Sequence, residues 1–206
     1  MGTETELKYR VSRPETLGRL LGGPEVSALR TGEVAALRME SVYYDTPARA
    51  LSARRWTLRV RRENGTGVTT LKTPVSADGG LSVRGEWETA ASDAASAIPA
   101  LMRLGAPPAL AALTAGEPLG AVCGASFLRR AARLRFPDGS EAELSADLGV
   151  LTGGGREAPL CEAELELKSG GPAAMLAFAA AIAARYGLSP EEKSKYARAL
   201  ALADGV

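Results

Sequence analysis

Carboxylates recur at every second position in two segments that lie far apart in the sequence. Glu4 and Glu6 precede Lys8 near the start of the chain, and Glu162 and Glu164 have the same spacing near its end. In a β-strand, side chains two positions apart share a face. Clustered carboxylates without histidine or thiol partners suit hard cations that prefer oxygen ligands. The two segments therefore predict a site for Mg²⁺ or Mn²⁺.

Basic side chains follow the same alternation in other segments. Arg59 and Arg61 share one face, and Lys72 and Arg84 occupy the polar faces of two further predicted strands. Arginine binds phosphoryl oxygens through two parallel hydrogen bonds, and lysine binds them as a point charge. Carboxylates, a divalent cation and basic groups are the components of metal-assisted phosphoryl transfer, and the many basic groups favour a polyphosphate substrate. A Walker loop is not predicted, because the glycines at 153–155 have no lysine after them.

Composition narrows the chemistry further. The 206 residues include no histidine, which excludes an imidazole base, and Cys123 and Cys161 are too few for a zinc site. The formal net charge of +1 argues against a nucleic-acid-binding stripe or a polybasic membrane patch. The amino-terminal residues lack the apolar segment of a signal peptide, so we expect a cytoplasmic protein. Neither a specific nucleic acid nor a membrane is expected as a partner.

Alternating hydrophobicity predicts eight β-strands. They are placed at residues 3–10, 37–45, 54–63, 67–73, 81–89, 126–136, 140–149 and 160–168. Asn64-Gly65 and Asp138-Gly139 are typical of two-residue hairpin turns. An even number of strands, joined mostly by hairpins, is compatible with a closed barrel.

Helices are predicted between the strands. They cover residues 14–21, two pieces within 93–115, residues 172–185, and a last helix that begins at residue 189. Residues 12–15 and 189–192 have the spacing of N-terminal capping boxes. We therefore expect an α+β fold with one domain over residues 1–206, an eight-stranded antiparallel closed β-barrel with helices packed on its outside.

Each predicted strand has one apolar face and one charged face. A charged face of an antiparallel sheet usually points to water, and for any single strand that interpretation stays open. The predicted helices are apolar enough to require the apolar strand faces as packing partners, which places the charged faces inside the barrel. An interior lined by both signs of charge costs free energy unless a ligand of matching charge and a metal fill it.

Seven short motifs occur in order along the chain. They are Glu-x-Glu-x-Lys at 4–8, YYDTP at 43–47, LRVR at 58–61, TLK at 70–72, RGEWE at 84–88, GGRE at 154–157 leading to CEAELELKSG at 161–170, and SKYAR at 194–198. In this order they resemble the CYTH domain of the triphosphate tunnel metalloenzymes over nearly the whole chain. The resemblance implies an eight-stranded antiparallel tunnel that binds a triphosphate-containing small molecule and one or two divalent cations.

The resemblance also implies roles for individual residues. The implied metal ligands are Glu4, Glu6, Asp147, Glu162 and Glu164. The implied triphosphate ligands are Lys8, Arg59, Arg61, Lys72, Arg84 and Lys195, together with Arg129 or Arg133, between which strand parity does not decide. The implied catalytic set is Glu4, Glu6, Lys8, Glu86 and Glu88, of which the last two are candidates for a second metal or for orienting water.

The 161–170 segment and the motif at 194–198 are most similar to the bacterial inorganic triphosphatases. This likeness implies metal-dependent hydrolysis of triphosphate to pyrophosphate and phosphate, in which basic groups stabilise the leaving pyrophosphate. Because carboxylates repel one another inside a barrel, Glu6→Gln or Glu164→Gln is expected to abolish turnover and leave the fold intact or stabilised. A class IV type adenylate cyclase, a thiamine triphosphatase and a non-catalytic polyphosphate-binding module remain alternatives. The oligomeric state stays open.

Overall fold

Nine β-strands and six α-helices make up residues 2–206, the part of the chain that the computed structural model describes. The strands are β1 (Gly2–Arg10), β2 (Ala35–Asp45), β3 (Thr57–Glu63), β4 (Thr66–Asp78), β5 (Leu81–Ala90), β6 (Gly120–Arg135), β7 (Glu141–Gly153), β8 (Arg156–Ser169) and β9 (Ser189–Pro190). The helices are α1 (Pro14–Leu21), α2 (Pro24–Leu29), α3 (Ala94–Arg103), α4 (Ala109–Thr114), α5 (Ala173–Tyr186) and α6 (Lys195–Asp204), with a 3-10 turn at Ser52–Arg54. Within residues 2–206, none of the helices has the length and apolar character needed to cross a membrane.

Pairing of the first and fifth strands closes the sheet into a barrel. β1 pairs with β5 on one side and with β8 on the other, and the order around the barrel is β1-β5-β4-β3-β2-β6-β7-β8. Every one of these neighbouring pairs is antiparallel. The predicted eight-stranded antiparallel closed barrel is therefore confirmed.

Strands β6 to β8 are longer than the sequence indicated. The prediction ended the seventh strand at residue 149 and began the eighth at 160, whereas the ladder of β7 and β8 continues to the pair Gly153–Arg156. Gly154 and Gly155 form a two-residue turn with φ values of 58° and 74°. Glycine adopts positive φ without steric cost, so these residues connect the strands where a longer loop was expected.

Two apolar clusters attach helices to the outer surface of the barrel. In the first cluster, the outward-facing Leu7, Leu144 and Leu165 pack with Leu20 of α1 and Ile182 of α5. The second cluster joins β3, β4 and β5 to α3 and α4. Burial of one such leucine side chain stabilises the fold by about 1.5–3 kcal/mol. The apolar strand faces thus point outward, as the sequence predicted, and the charged faces point inward.

The bounds of α1 agree with the prediction, whereas its predicted capping box, the start of the last helix and one additional helix differ. α1 begins at Pro14, but its N-cap residue Arg13 makes no side-chain capping bond. α2 was not predicted, because its six residues carry too few apolar positions to form a pattern. The predicted last helix begins at Lys195 instead of residue 189, and its N-cap is Ser194. Residues 189 and 190 form β9 instead, since their ladder with β1 satisfies backbone groups that a helix would use.

Helix α6 occupies one end of the barrel interior. Its Tyr196 and Ala199 pack with Phe127, Leu151 and Leu160, which lie on the inward-facing positions of β6, β7 and β8. The helices of the two outer clusters cover outward-facing positions, so α6 is exceptional in this respect. The interior consequently has an apolar end filled by α6 and a charged remainder.

Gly153→Ala tests this packing of α6. A Cβ at position 153 would lie 2.3 Å from the Ala199 carbonyl oxygen and 2.7 Å from the Ala203 amide nitrogen. We expect the variant to lose about 1–3 kcal/mol of unfolding free energy, measured by urea denaturation. The control is Gly120→Ala, where a Cβ has no neighbour within 4 Å. Equal stabilities of the two variants would show that α6 does not press on β7.

Candidate active site

The charged part of the barrel interior is a cavity of about 570 Å³. Its acidic lining consists of Glu4, Glu6, Glu63, Glu86, Glu88, Glu143, Glu164 and Glu166. Its basic lining consists of Lys8, Arg59, Arg61, Lys72, Arg84, Arg129, Lys168 and Lys195. Near α6 the cavity is bounded by Tyr43, Phe127 and Tyr196. The cavity therefore brings carboxylates and cations from strands on all sides of the barrel together.

Three carboxylates form a cluster beside the cavity. Asp147 and Glu162 have no exposed surface, and Glu164 lines the cavity. One ligand oxygen of each residue lies within 4.8 Å of the others. The Lys195 ammonium lies among them, 2.8 Å from Asp147 Oδ2 and 2.9 Å from Glu164 Oε1, and also contacts Glu162. The cluster therefore already contains a cation, the ammonium group of Lys195.

Two arginines complete the neutralisation of these carboxylates. Arg129 binds both oxygens of Asp147, at 2.8 Å from Nε and 2.7 Å from the terminal nitrogen, and its terminal nitrogen lies 2.6 Å from Glu164. Arg198 of α6 pairs with Glu162. Three negative side chains therefore meet three positive ones, counting Lys195. Such pairing is required because an unpaired buried charge costs several kcal/mol.

The pKa values reflect this pairing. Burial opposes ionisation of Glu164, yet Lys195 and Arg129 hold its pKa well below the ordinary value. Burial raises the pKa of Glu162 in spite of Lys195. Burial alone would lower the pKa of Lys195, but Asp147 and Glu162 raise it above the ordinary value. Glu164 thus has attractive contacts with Lys195 and Arg129 beside its repulsion of Glu6 and Glu162, and the effect of Glu164→Gln on stability stays a prediction.

A second group of charges lies on β1, β4 and β5. Lys72 Nζ lies 2.5 Å and 2.6 Å from the two oxygens of Glu4 and 3.4 Å from Glu86. Lys8 Nζ lies 2.6 Å from Glu6. Burial raises the pKa of Glu4, whereas the pKa of Glu6 is lowered because Lys8 and Lys72 outweigh burial and the repulsion by Glu164.

Arg59 and Arg61 each have a guanidinium nitrogen that makes no hydrogen bond to the described residues. The Nε atoms of both residues are buried and have no hydrogen-bond partner among the described residues. Arg59 also donates to Thr70 at 3.2 Å, and Arg61 pairs with Glu63 and lies 3.8 Å from Glu88. Burial and the neighbouring Arg59 lower the pKa of Arg61 to about 10. Buried donors without partners are rare, and Arg59 and Arg61 each have one while their side chains line the cavity.

The cavity unites most residues that the sequence singled out. The predicted residues that line it are Glu4, Glu6, Lys8, Arg59, Arg61, Lys72, Arg84, Glu86, Glu88, Arg129, Glu164 and Lys195. Asp147 and Glu162 lie directly behind this lining, in contact with Lys195. Arg133 is exposed and is not part of the lining, so only Arg129 of the two alternatives reaches the acidic cluster.

Residues that position α6 were not recognised from the sequence. The buried Asp45 accepts hydrogen bonds from the amides of Leu51 and Ser52, and the Ser52 hydroxyl lies 2.7 Å from the Tyr196 hydroxyl. Tyr196 also packs against Tyr43, with ring centroids 5.1 Å apart. The YYDTP motif at 43–47 contains the signal, but its partner on α6 is 150 residues away in the sequence and only the fold joins them.

Fold and site together define a closed β-tunnel whose interior offers carboxylates and basic groups to one ligand space. The chain belongs to the CYTH domain family, since the sequence profile of the CYTH domain matches residues 2–200. The match covers nearly the whole chain and confirms the resemblance found in the ordered motifs. The acidic cluster offers ligands for a metal ion, as the family assignment leads one to expect.

Solved structures from several organisms share this fold. A Hippeastrum protein, described as an adenylyl cyclase candidate with a dominant triphosphatase activity, has 18% identity and a TM-score of 0.64, with 98% of this chain and 96% of that chain covered. A Pyrococcus horikoshii protein has 20% identity and a TM-score of 0.60, with 96% and 98% covered. A Bacillus halodurans protein, described as an adenylate cyclase candidate, has 19% identity and a TM-score of 0.53, with 94% and 96% covered.

Asp147→Asn tests the importance of charge balance in the cluster. The change leaves Arg129 and Lys195 without one buried counter-charge, so we expect a loss of about 3–5 kcal/mol of unfolding free energy in urea. Glu143→Gln is the matched control, because Glu143 lies on the same strand and lines the cavity but makes no ion pair among the described residues. A loss as large for Glu143→Gln would contradict the role assigned to the Asp147 pairs.

Proposed function

We propose that this protein hydrolyses inorganic triphosphate to pyrophosphate and phosphate in a reaction that depends on Mg²⁺ or Mn²⁺. The observation that carries the proposal is the pair of buried, unpartnered guanidinium nitrogens of Arg59 and Arg61 in the same cavity as the acidic cluster. The unpartnered guanidinium nitrogens suit a polyanion, and the acidic cluster suits a divalent cation. A metal-complexed polyphosphate satisfies both.

The binding of the triphosphate falls to the basic lining of the cavity. Arg59 and Arg61 present forks that match two phosphoryl oxygens, while Arg84, Lys72 and Lys8 add positive charge along the neighbouring strands. Several phosphates in a chain are needed to use so many cations at once. A single phosphate would contact only a few of these basic side chains, and the others would keep their present partners.

The donor set fits a hard divalent cation. The oxygens of Asp147, Glu162 and Glu164 approach within 4.8 Å of one another, and Glu4 and Glu6 line the adjacent cavity. Carboxylate oxygens are the ligands that Mg²⁺ and Mn²⁺ prefer. These five carboxylates would hold the metal, which would supply neutralisation of phosphate charge and a lowered pKa of the attacking water.

The remaining steps belong to the protein side chains. Glu86 lies beside Lys72, and Glu88 accepts a hydrogen bond from the Thr70 hydroxyl at 3.1 Å. To these two carboxylates we assign the orientation of the attacking water. The water oxygen bonds to the terminal phosphorus, the bond to the bridging oxygen breaks, and pyrophosphate leaves with the electron pair. Lys8 and Arg84 stabilise the negative charge that develops on the leaving group.

A substrate with an organic group is the second candidate function. Leu37, Met39 and Leu104 line the same cavity and offer apolar surface next to the charged lining. This surface would accept the base of a nucleoside triphosphate or the thiamine of its triphosphate. The description of the Hippeastrum protein names adenylyl cyclase and triphosphatase chemistry, and that of the Bacillus halodurans protein names adenylate cyclase alone. A binding module without turnover is disfavoured because binding alone does not require the carboxylates.

A turnover assay with three substrates separates these functions. The protein is incubated with triphosphate, ATP or thiamine triphosphate and with Mg²⁺ or Mn²⁺, and phosphate, pyrophosphate and cyclic AMP are followed. We expect phosphate release from triphosphate that a chelator abolishes. Cyclic AMP from ATP would overturn the hydrolase proposal, and tight binding without any turnover would favour a binding module.

Arg61→Gln and Arg62→Gln form a matched pair on one strand. Arg61 lines the cavity, whereas the adjacent Arg62 is exposed on the opposite face of β3. Removal of the Arg61 guanidinium should lower kcat/KM for triphosphate by about 100-fold or more, because buried charge-assisted contacts stabilise the transferring phosphoryl group. Arg62→Gln should stay within about threefold of the original enzyme. Similar losses in both variants would place the substrate outside the barrel.

A further inference from the structure

The Lys195 ammonium is surrounded by carboxylates, two of which it binds by hydrogen bonds and the third by an ion pair. A lysine ammonium carries three N–H donors. In the structure it contacts three carboxylates, Asp147 at 2.8 Å, Glu164 at 2.9 Å and Glu162 more closely still. The side chains of Lys195, Asp147 and Glu162 are buried, and that of Glu164 is half-buried. The residue assigned to triphosphate binding is therefore in direct contact with three carboxylates assigned to the metal.

The position of this ammonium coincides with the position that suits a divalent cation. The carboxylate oxygens around it are those that approach within 4.8 Å of one another. Three carboxylates are balanced there by Arg129, Arg198 and Lys195. A divalent cation added to this balanced group would leave an excess of two positive charges. Departure of one protein cation when the metal enters would lower this excess to one positive charge, and the cation that leaves is then free to bind an anion.

Lys195 is the cation that is able to leave. Arg129 is held by two parallel hydrogen bonds to Asp147 at 2.8 Å and 2.7 Å, a geometry that a planar guanidinium keeps. Lys195 is a point charge on a flexible four-carbon stem, and it lines the cavity into which it would turn. Its Nζ also lies 5.1 Å from the Phe127 ring, which borders that cavity and offers a favourable surface for a cation.

We propose that Lys195 is a tethered competitor for the divalent cation, which exchanges its carboxylate contacts for phosphate contacts when metal and triphosphate bind. The inference deepens the proposed function and rests on it for the identity of both ligands. Asp147, Glu162 and Glu164 would then hold the metal, and the released Lys195 ammonium would bind the polyphosphate. Each of the two ligands consequently binds the protein more tightly when the other is already bound. This cooperativity is larger than the part that comes from the affinity of the metal for triphosphate in solution.

Lys195→Met tests whether the Lys195 ammonium competes with the metal for the carboxylates. Mn²⁺ alone is titrated into the variant and the original protein by isothermal titration calorimetry, without triphosphate. We expect Lys195→Met to bind Mn²⁺ at least about tenfold more tightly, although its turnover of triphosphate falls. Lys168→Met is the matched control, because Lys168 lines the same cavity but pairs with Glu166 rather than with the cluster. It should change the Mn²⁺ affinity by less than about threefold.

Chemical labelling of the unaltered protein provides a measurement that does not depend on a variant. The chain contains only five lysines, so reductive methylation with formaldehyde is readily assigned to single residues by peptide mass spectrometry. Mn²⁺ should increase the methylation rate of Lys195, because the amine leaves its buried contacts. Lys193 is exposed two positions away and serves as the internal reference, whose rate should not change.

The outcomes distinguish this inference from the proposed function. An unchanged or weaker Mn²⁺ affinity in Lys195→Met, or a Lys195 methylation rate that Mn²⁺ does not raise, would overturn the competition while the original enzyme still turns over triphosphate. Turnover of triphosphate that needs no divalent cation, with no Mn²⁺ bound by either protein, would overturn both. Tighter binding in Lys195→Met together with faster methylation in the original protein would support the exchange.

Discussion

The burial of many charges inside a closed barrel is the constraint on which the rest of this structure depends. Closure by the β1–β5 ladder removes the inward side chains from bulk water, and Asp147 and Glu162 have no exposed surface at all. These two carboxylates therefore need a counter-charge in direct contact, which Lys195 provides to both. Acidic and basic residues are accordingly placed in the barrel as partners, and their charges cancel within the formal net charge of +1.

Helix α6 belongs to the site because it supplies part of that counter-charge. Lys195 and Arg198, both on α6, provide two of the three cations that neutralise the acidic cluster. The helix is held inside the barrel by its close approach to Gly153 and by the hydroxyl contact between Tyr196 and Ser52. Displacement of the helix would thus remove apolar packing and leave buried carboxylates unpaired at the same time. Stability and ligand binding are coupled through one element.

The sequence predicts the face of each side chain better than its depth in the barrel. Period-two alternation correctly assigned eight strands and their inward faces, because the pleat repeats every two residues. Arg129 and Arg133 have the same parity, but Arg129 reaches Asp147 and Arg133 is exposed. Depth depends on register and strand stagger, which come from long-range pairing and not from local pattern. The engagement of Lys195 with Asp147 was hidden for the same reason, since the fold alone joins these distant segments.

A balanced interior also limits which ligands can enter. A lone anion would have to compete with Glu4 for Lys72 and with Glu164 for Arg129, and a lone cation would have to compete with Lys195. Each exchange on its own leaves a buried charge without a partner, which costs several kcal/mol. A divalent cation and a polyphosphate that enter together replace the internal pairs on both sides, so every displaced side chain finds a new partner. The charge pattern of the barrel therefore favours a metal-complexed polyphosphate over either component alone.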